Sequence, residues 1–158
     1  MTDNSVAMLH HFRAHQLLTT YTRMVDAKDL EGLAAIAHPG IVLVRSADGS
    51  PRAGREAFLD LYRDFAQSDV QESQHMTTNL SATELDDGSL AVASRFLAIT
   101  THPDGARFTW GRYDDEIAER DGTWVFTAKR IRVTRIALVG EDMLAPLNAS
   151  SFAPMPRS

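Results

Sequence analysis

Three Asp-Gly pairs divide the second half of the chain at regular intervals, at positions 87–88, 104–105 and 121–122. An Asp-Gly pair between alternating apolar and polar residues is a strong signal for a tight turn between antiparallel strands. The spacing predicts a four-stranded hairpin meander with strands at 74–85, 89–102, 106–120 and 123–137. Because these strands exceed the usual length, we expect a strongly twisted and curved sheet with a concave face.

The first half of the chain has the helical period instead. Apolar residues recur at three- and four-residue steps and predict a long helix at 6–25 and another at 55–67. A short helix between them begins after Asp29, a good N-cap residue, and ends at His38-Pro39-Gly40. A short apolar strand at 41–45, followed by a turn at 48–51, completes this half.

Helices first and a meander last predict an α+β fold, in which N-terminal helices pack on a strongly curved antiparallel sheet, a cone or half-barrel, and enclose a hydrophobic pocket. With 158 residues, of which 44% are hydrophobic, the chain can bury one sizeable core. We expect one domain at 1–140 and an irregular C-terminal tail at 141–158.

Charge and composition argue against several classes of protein. The net charge of −5 with scattered basic residues gives no footprint for nucleic acid. The N-terminus lacks the features of a signal peptide, and no run approaches the roughly 20 apolar residues of a membrane span. The chain has no cysteine, which suits a reducing compartment. We therefore expect a cytoplasmic protein that binds neither nucleic acid nor membrane.

His75 is the first candidate for chemistry, because the two-residue period of its predicted strand places it on one face with polar partners such as Asn79. A histidine held by a carboxylate can act as a general base near neutral pH. Asp26 is a candidate partner, since it ends the first helix, where the helix dipole disfavours an anion. The alternative for Asp26 is a solvated turn carboxylate. Tyr21, on the apolar stripe of the same helix, is either a core residue or a hydroxyl donor.

Other candidates have weaker support. Trp124, Phe126 and Arg130 share a parity in the last strand, so Arg130 either lies on a concave face and needs an anion or reaches solvent. His11 and His15 stand at i, i+4, but no HExxH motif accompanies them, so a zinc site is not expected. Asp115 lies in an acidic run, which is more typical of a solvated edge. The chain has no nucleophile elbow, phosphate loop or dinucleotide fingerprint.

Several of these residues stand in a pattern that resembles a known protein family. The pattern Tyr21-x4-Asp26, the segment His75-Met-Thr-Thr-Asn79-Leu and the segment from Asp121 to Arg130, which contains Trp-Val-Phe, resemble the SnoaL-like branch of the nuclear-transport-factor-two-like superfamily. The resemblance spans about residues 9–137. Within that branch the chain is similar to the scytalone dehydratases, bile-acid dehydratases and lindane dehydrochlorinases, which are cofactor-free lyases with an Asp–His pair in a hydrophobic pocket.

The resemblance implies a catalytic set of His75, Asp26, Tyr21 and Arg130. The corresponding pocket residues are Asn79, Phe96, Trp110, Trp124 and Phe126. The implied activity is a cofactor-independent, metal-free lyase, dehydratase or isomerase for a small hydrophobic molecule, of steroid, polyketide or aromatic type. Lindane dehydrochlorinases carry lysine at the position of Tyr21, which argues against halide elimination.

Two other functions remain open, because the fold alone does not settle function. The first is a noncatalytic ligand-binding or assembly subunit, related to the β subunits of ring-hydroxylating dioxygenases. The second is a polyketide cyclase or ketosteroid-isomerase-like enzyme that uses an acidic residue such as Asp115. Similar dehydratases form trimers, so we expect a homotrimer, with a dimer as the alternative.

Overall fold

The computed structural model describes residues 3–45 and 49–144. The elements in chain order are α1 (Asp3–Asp26), α2 (Leu30–Ala35), β1 (Ala37–Arg45), β2 (Pro51–Ala53), α3 (Arg55–Gln67), β3 (Glu72–Glu84), β4 (Leu90–His102), β5 (Gly105–Arg120), β6 (Thr123–Gly140) and a 3₁₀ turn (Glu141–Met143). The α+β fold with N-terminal helices on a curved sheet is confirmed, and the sheet does not close.

The meander is present as predicted, and its strand boundaries differ from the predicted ones by no more than three residues. The β5–β6 loop consists of Asp121 and Gly122, because Arg120 pairs directly with Thr123. Both loop residues have positive φ, 51° and 78°. A two-residue loop of this kind follows the right-handed twist of the strands, which explains why Asp-Gly marks the turn.

Within residues 3–45 and 49–144, the sheet adds two strands to the four of the meander, in the order β2-β1-β6-β5-β4-β3. β1 pairs parallel with β6, and the short β2 pairs antiparallel with β1, so the sheet is mixed. β1 begins at Ala37 and includes the segment 38–40, where only a helix end was expected. Phe126 N–H donates to the Ile36 carbonyl at 2.8 Å, so pairing with β6 starts directly after α2.

The helices cover the concave face of this sheet and form the core with it. α1 buries Ala14, Leu17, Leu18, Tyr21 and Val25, and α3 buries Phe58, Leu59 and Tyr62. The sheet contributes Leu90, Val92, Phe96, Tyr113, Ile117 and Phe126. Asp29 caps α2 by accepting a hydrogen bond from Gly32 N–H at 2.8 Å, as its position predicts. α1 ends at Asp26, which lies over the first strand of the meander.

No helix within residues 3–45 and 49–144 is long and apolar enough to cross a membrane. The tail expected at 141–158 begins with the 3₁₀ turn, and its remainder from residue 145 onward lies outside the described residues.

Candidate active site

Asp26 and His75 meet across the junction between the end of α1 and β3. His75 Nδ1 lies 2.6 Å from Asp26 Oδ1, and the backbone N–H of His75 donates to Asp26 Oδ2 at 2.9 Å. The hydroxyl of Ser73, two residues earlier on the same face of β3, donates to Asp26 Oδ1 at 2.8 Å. Three hydrogen bonds therefore fix both carboxylate oxygens, and with them the imidazole ring.

The environment of Asp26 favours its ionised form. Burial acts to raise the pKa of this carboxyl group, but the hydrogen bonds from His75 and Ser73 outweigh it and lower the pKa below the ordinary aspartate value of 3.8. A carboxylate accepts hydrogen bonds only, so His75 Nδ1 carries the proton that Asp26 receives. His75 Nε2 is then the ring nitrogen left for a molecule in the cavity.

His75 lines a cavity of about 370 Å³ between the helices and the concave face of the sheet. Its side chain is only 13% exposed. Most of the wall is apolar and consists of Val25, Leu61, Phe65, Val70, Phe96, Ala98, Ile131, Val133 and Ile136. A cavity of this size and character suits a small, largely apolar organic molecule.

The tyrosines of the chain, three in all, line this cavity. The hydroxyl oxygens of Tyr21 and Tyr62 lie 2.9 Å apart, and the ring of Tyr113 stacks on Phe96 with centroids 4.5 Å apart. Burial raises the pKa of each of the three phenols. They therefore stay protonated and can donate a hydrogen bond to an oxygen atom in the cavity. The hydroxyl group of Tyr21 is therefore paired with that of Tyr62, which was not among the expected site residues.

The structure does not bring Arg130 to the cavity. Arg130 pairs with Glu116 at 2.8 Å on the other side of the sheet, with its side chain 34% exposed. The cause is a register shift in the β5–β6 ladder, where Glu116 pairs with Ala128 but Ile117 pairs with Phe126, so that Thr127 is an extra residue. A bulge of this kind reverses the alternation of side chains beyond it.

The side chain that the bulge turns inward is Lys129. Lys129 Nζ donates to Asp115 Oδ2 at 2.6 Å, and both side chains are fully buried. The ammonium group also lies 3.5 Å from the ring centroid of Tyr113 and 4.3 Å from that of Tyr21. Burial raises the pKa of Asp115 and lowers that of Lys129. Asp115 is thus paired with Lys129 behind the tyrosines and does not line the cavity. This position argues against the alternative in which Asp115 acts as an acid or base.

Of the expected pocket residues, the structure brings only Phe96 to the cavity wall. Phe126 is buried beneath it, against the ring of Tyr21. Trp124 packs at the edge of the core under the Arg13 guanidinium. Trp110 lies on the opposite face of β5 from Tyr113 and is 39% exposed. Asn79 is exposed with a φ of 52°, at a register shift in the β3–β4 ladder that turns it away from the face of His75.

Sequence reasoning missed a second polar group in the cavity, formed by Asp69, Thr100, His102 and Arg107. The parity of β4 could have indicated His102, since Phe96, Ala98, Thr100 and His102 alternate along one face. Tyr62 stands on the apolar stripe of α3 and could have been found in the same way. Asp69 lies in the α3–β3 loop, and no local pattern indicates its position.

Within the described ranges, the group whose spacing could hold a metal ion is Asp69, His102 and Asp104, with one potential ligand atom each within 4.8 Å of the others. The Arg107 guanidinium contacts both His102 and Asp104, so the chain itself supplies a positive charge there. His11 and His15 are exposed on α1 and are not part of this group.

Fold and site together define a class: an α+β cone with a largely apolar cavity and an Asp–His pair in its wall. The family model for the SnoaL-like domain matches residues 13–130. The chain therefore belongs to the SnoaL-like domain family, in the nuclear-transport-factor-two-like superfamily.

Solved structures show the same fold. A scytalone dehydratase-like protein from Novosphingobium aromaticivorans has a TM-score of 0.75 and 19% identity, over 100% of this chain and 99% of that one. The hexachlorocyclohexane dehydrochlorinase LinA-type3 from Novosphingobium barchaimii has a TM-score of 0.75 and 20% identity, over 90% and 99%. A protein of unknown function from Mycobacterium tuberculosis has a TM-score of 0.74 and 24% identity, over 85% and 78%. A search of the curated proteins found no match.

Proposed function

We propose that this protein is a cofactor-independent lyase or dehydratase, or an isomerase, that acts on a small hydrophobic molecule. The observation that carries the proposal is the His75–Asp26 contact of 2.6 Å in the wall of an apolar cavity. An imidazole held by an ionised carboxylate is suited to accept a proton from carbon, because the carboxylate stabilises the imidazolium that forms.

In the proposed elimination, His75 Nε2 takes a proton from a carbon next to a carbonyl group, and the electrons of that C–H bond form the new double bond. The leaving hydroxyl group departs as water after receiving a proton, which the imidazolium returns. Asp26 holds the Nδ1 proton throughout, so Nε2 is the nitrogen that gains and then returns the proton. The hydroxyl pair of Tyr21 and Tyr62 donates a hydrogen bond to the carbonyl oxygen, where negative charge develops.

An isomerase would use the same first step, with His75 returning the proton to a different carbon of the same molecule. A noncatalytic ligand-binding subunit remains the alternative, because it needs the cavity but not the Asp–His pair. We extend the proposal to the assembly and surroundings of the protein: a homotrimer, with a dimer as the alternative, in the cytoplasm, without a cofactor.

A panel of small β-hydroxy ketones tests this proposal, since elimination produces a conjugated enone that absorbs in the ultraviolet. On a compound that the wild-type protein converts, His75→Ala should lower turnover by roughly two to four orders of magnitude. Asp26→Asn should also lower turnover, because its amide can no longer stabilise an imidazolium. Unchanged turnover in His75→Ala with an intact fold would exclude His75 as the base, and wild-type protein that converts no compound of the panel would favour the noncatalytic alternative.

A further inference from the structure

A second histidine–aspartate contact lies in the same cavity, but its chemistry differs from that of His75. His102 Nδ1 lies 2.7 Å from Asp69 Oδ1, and its Nε2 lies 2.9 Å from the Thr100 hydroxyl group. The side chain of His102 is only 4% exposed. Both ring nitrogens are therefore occupied by the protein, and His102 has no nitrogen free to act as a base.

The ring of His102 also contacts the guanidinium group of Arg107. Arg107 Nη1 lies 3.0 Å from His102 Nδ1 and 3.2 Å from Nε2, and Nη2 lies 3.4 Å from an oxygen of Asp104. These contacts are longer than the 2.7–2.9 Å of a strong charge-assisted hydrogen bond. A guanidinium group has five N–H donors in a fixed fork. The contacts orient Arg107 but leave it able to bind a stronger acceptor.

Arg107 and His75 stand at two ends of one wall. His75 pairs with Ala98 on β4, and two residues further along β4 Thr100 pairs with Arg107 on β5. With strands about 4.8 Å apart and a rise of about 3.3 Å per residue, the two Cα atoms lie about 12 Å apart along the sheet. The wall around this path carries the apolar side chains Phe96, Ala98, Ile131 and Val133.

We infer that the cavity binds an amphipathic organic anion, with its carboxylate or sulfonate on Arg107 and its apolar body along the wall toward His75. The inference deepens the proposed function, on which it rests for the choice of the reacting carbon, by assigning a substrate class. An anion on a partly desolvated guanidinium can form two parallel hydrogen bonds, which fixes the orientation of the molecule as well as its affinity.

The acidic residues near Arg107 do not cancel the preference of the cavity for an anion. The side chains of Asp69 and Asp104 are 56% and 74% exposed, so that water and salt screen both carboxylates. Asp64 and Arg45 also line the cavity. Arg45 is exposed at the end of β1, whereas Arg107 is 36% exposed, so Arg107 offers the less hydrated cation. Arg45→Gln is therefore the matched control for Arg107→Gln.

Two dyes with the same aromatic skeleton separate charge from apolar burial: 1-anilinonaphthalene-8-sulfonate and its uncharged parent N-phenyl-1-naphthylamine. Fluorescence titration gives the Kd of each, and the ratio of the two measures the preference for the anion. Arg107→Gln should reduce this preference roughly tenfold or more, as expected for the loss of a charge-assisted hydrogen bond. Arg107→Lys, which keeps the charge but loses the fork, should retain part of it.

Arg45→Gln should change the ratio less than twofold. The dyes undergo no reaction, so the result is independent of whether His75 catalyses one. The inference is overturned if wild-type protein does not bind the sulfonate dye, if Arg107→Gln leaves the ratio unchanged, or if Arg45→Gln lowers it as much. Circular dichroism checks that each variant is folded, and Arg107→Lys decides the question if Arg107→Gln does not fold.

Discussion

Asp26, the last residue of α1, is held by three hydrogen bonds from β3. Its carboxylate receives the Ser73 hydroxyl, the His75 ring and the His75 backbone N–H. All three bonds favour the ionised form, and they lower the pKa of Asp26. A group whose pKa is lower in the folded protein stabilises the fold above its ordinary pKa, and this contribution is lost as the pH falls through the folded value.

We therefore expect the unfolding free energy of the wild-type protein to fall more steeply than that of Asp26→Asn as the pH drops below about 4. Ser73→Ala, which removes one of the three bonds, should lie between them. Urea unfolding at a series of pH values between neutral and acidic measures the three curves. Parallel curves for wild type and Asp26→Asn would show that the hydrogen bonds do not favour the carboxylate.

Lys129 and Asp115 form a buried ion pair behind the tyrosines. We expect the loss of either partner to lower the free energy of unfolding. Removing one member of a buried pair leaves an unpaired charge and typically costs 3–5 kcal/mol, whereas replacing both is often neutral. Lys129→Met should therefore lower the unfolding free energy by about 3–5 kcal/mol. The double variant with Asp115→Val should recover at least half of that loss. Denaturant titration measures the unfolding free energy of each variant. A double variant no more stable than Lys129→Met would contradict this account.

At the scale of the elements, bulges in β3 and β6 decide which side chains face the helices. The β3 bulge at Asn79 turns that residue outward, the β6 bulge at Thr127 turns Lys129 instead of Arg130 toward the core, and a second β6 bulge lies at Thr134. The helices and the hairpins could be predicted because each depends on a local pattern, whereas the contact between Asp26 and His75, which are 49 positions apart, was expected from the resemblance. The bulges could not be predicted, because they depend on partner strands. The pairing of β1 with β6 joins segments more than 80 residues apart and has no local signal.

The β5–β6 pairing also requires a glycine at position 111. A Cβ atom there would clash with the carbonyl oxygen of Arg132 and lie 2.9 Å from the Phe96 ring. Gly111→Ala should therefore destabilise the fold by about 1–3 kcal/mol, the usual cost of overpacking. Gly40→Ala is the control, since its nearest neighbour, His38 Nδ1, is 3.5 Å away. Thermal unfolding of both variants tests this, and equal melting temperatures would contradict the close approach at Gly111.

At the scale of the whole molecule, the outer face of the sheet carries an apolar row. Met76 pairs with Leu97, which in turn pairs with Trp110, so the three side chains lie side by side across β3, β4 and β5. Met76 and Trp110 are each 39% exposed. An exposed apolar row of this kind is a candidate interface between subunits, which supports the proposed self-association.

Light scattering should then give three times the mass of one chain at micromolar concentration, or twice that mass for the alternative dimer. Trp110→Glu would place a charge in the row and should shift the protein toward monomer. A monomeric wild-type protein would contradict both assemblies. A Trp110→Glu variant with unchanged mass would place the interface elsewhere.

The central claim is that His75, held by Asp26, removes a proton from carbon, and this step can be measured without a leaving group. Small bicyclic ketones such as 1-indanone and 2-tetralone exchange the hydrogen next to their carbonyl group with solvent when a base acts on it. In deuterium oxide, proton NMR should show exchange by the wild-type protein that is roughly 10²- to 10⁴-fold faster than by His75→Ala. Equal exchange rates in the two proteins, both folded, would contradict the claim.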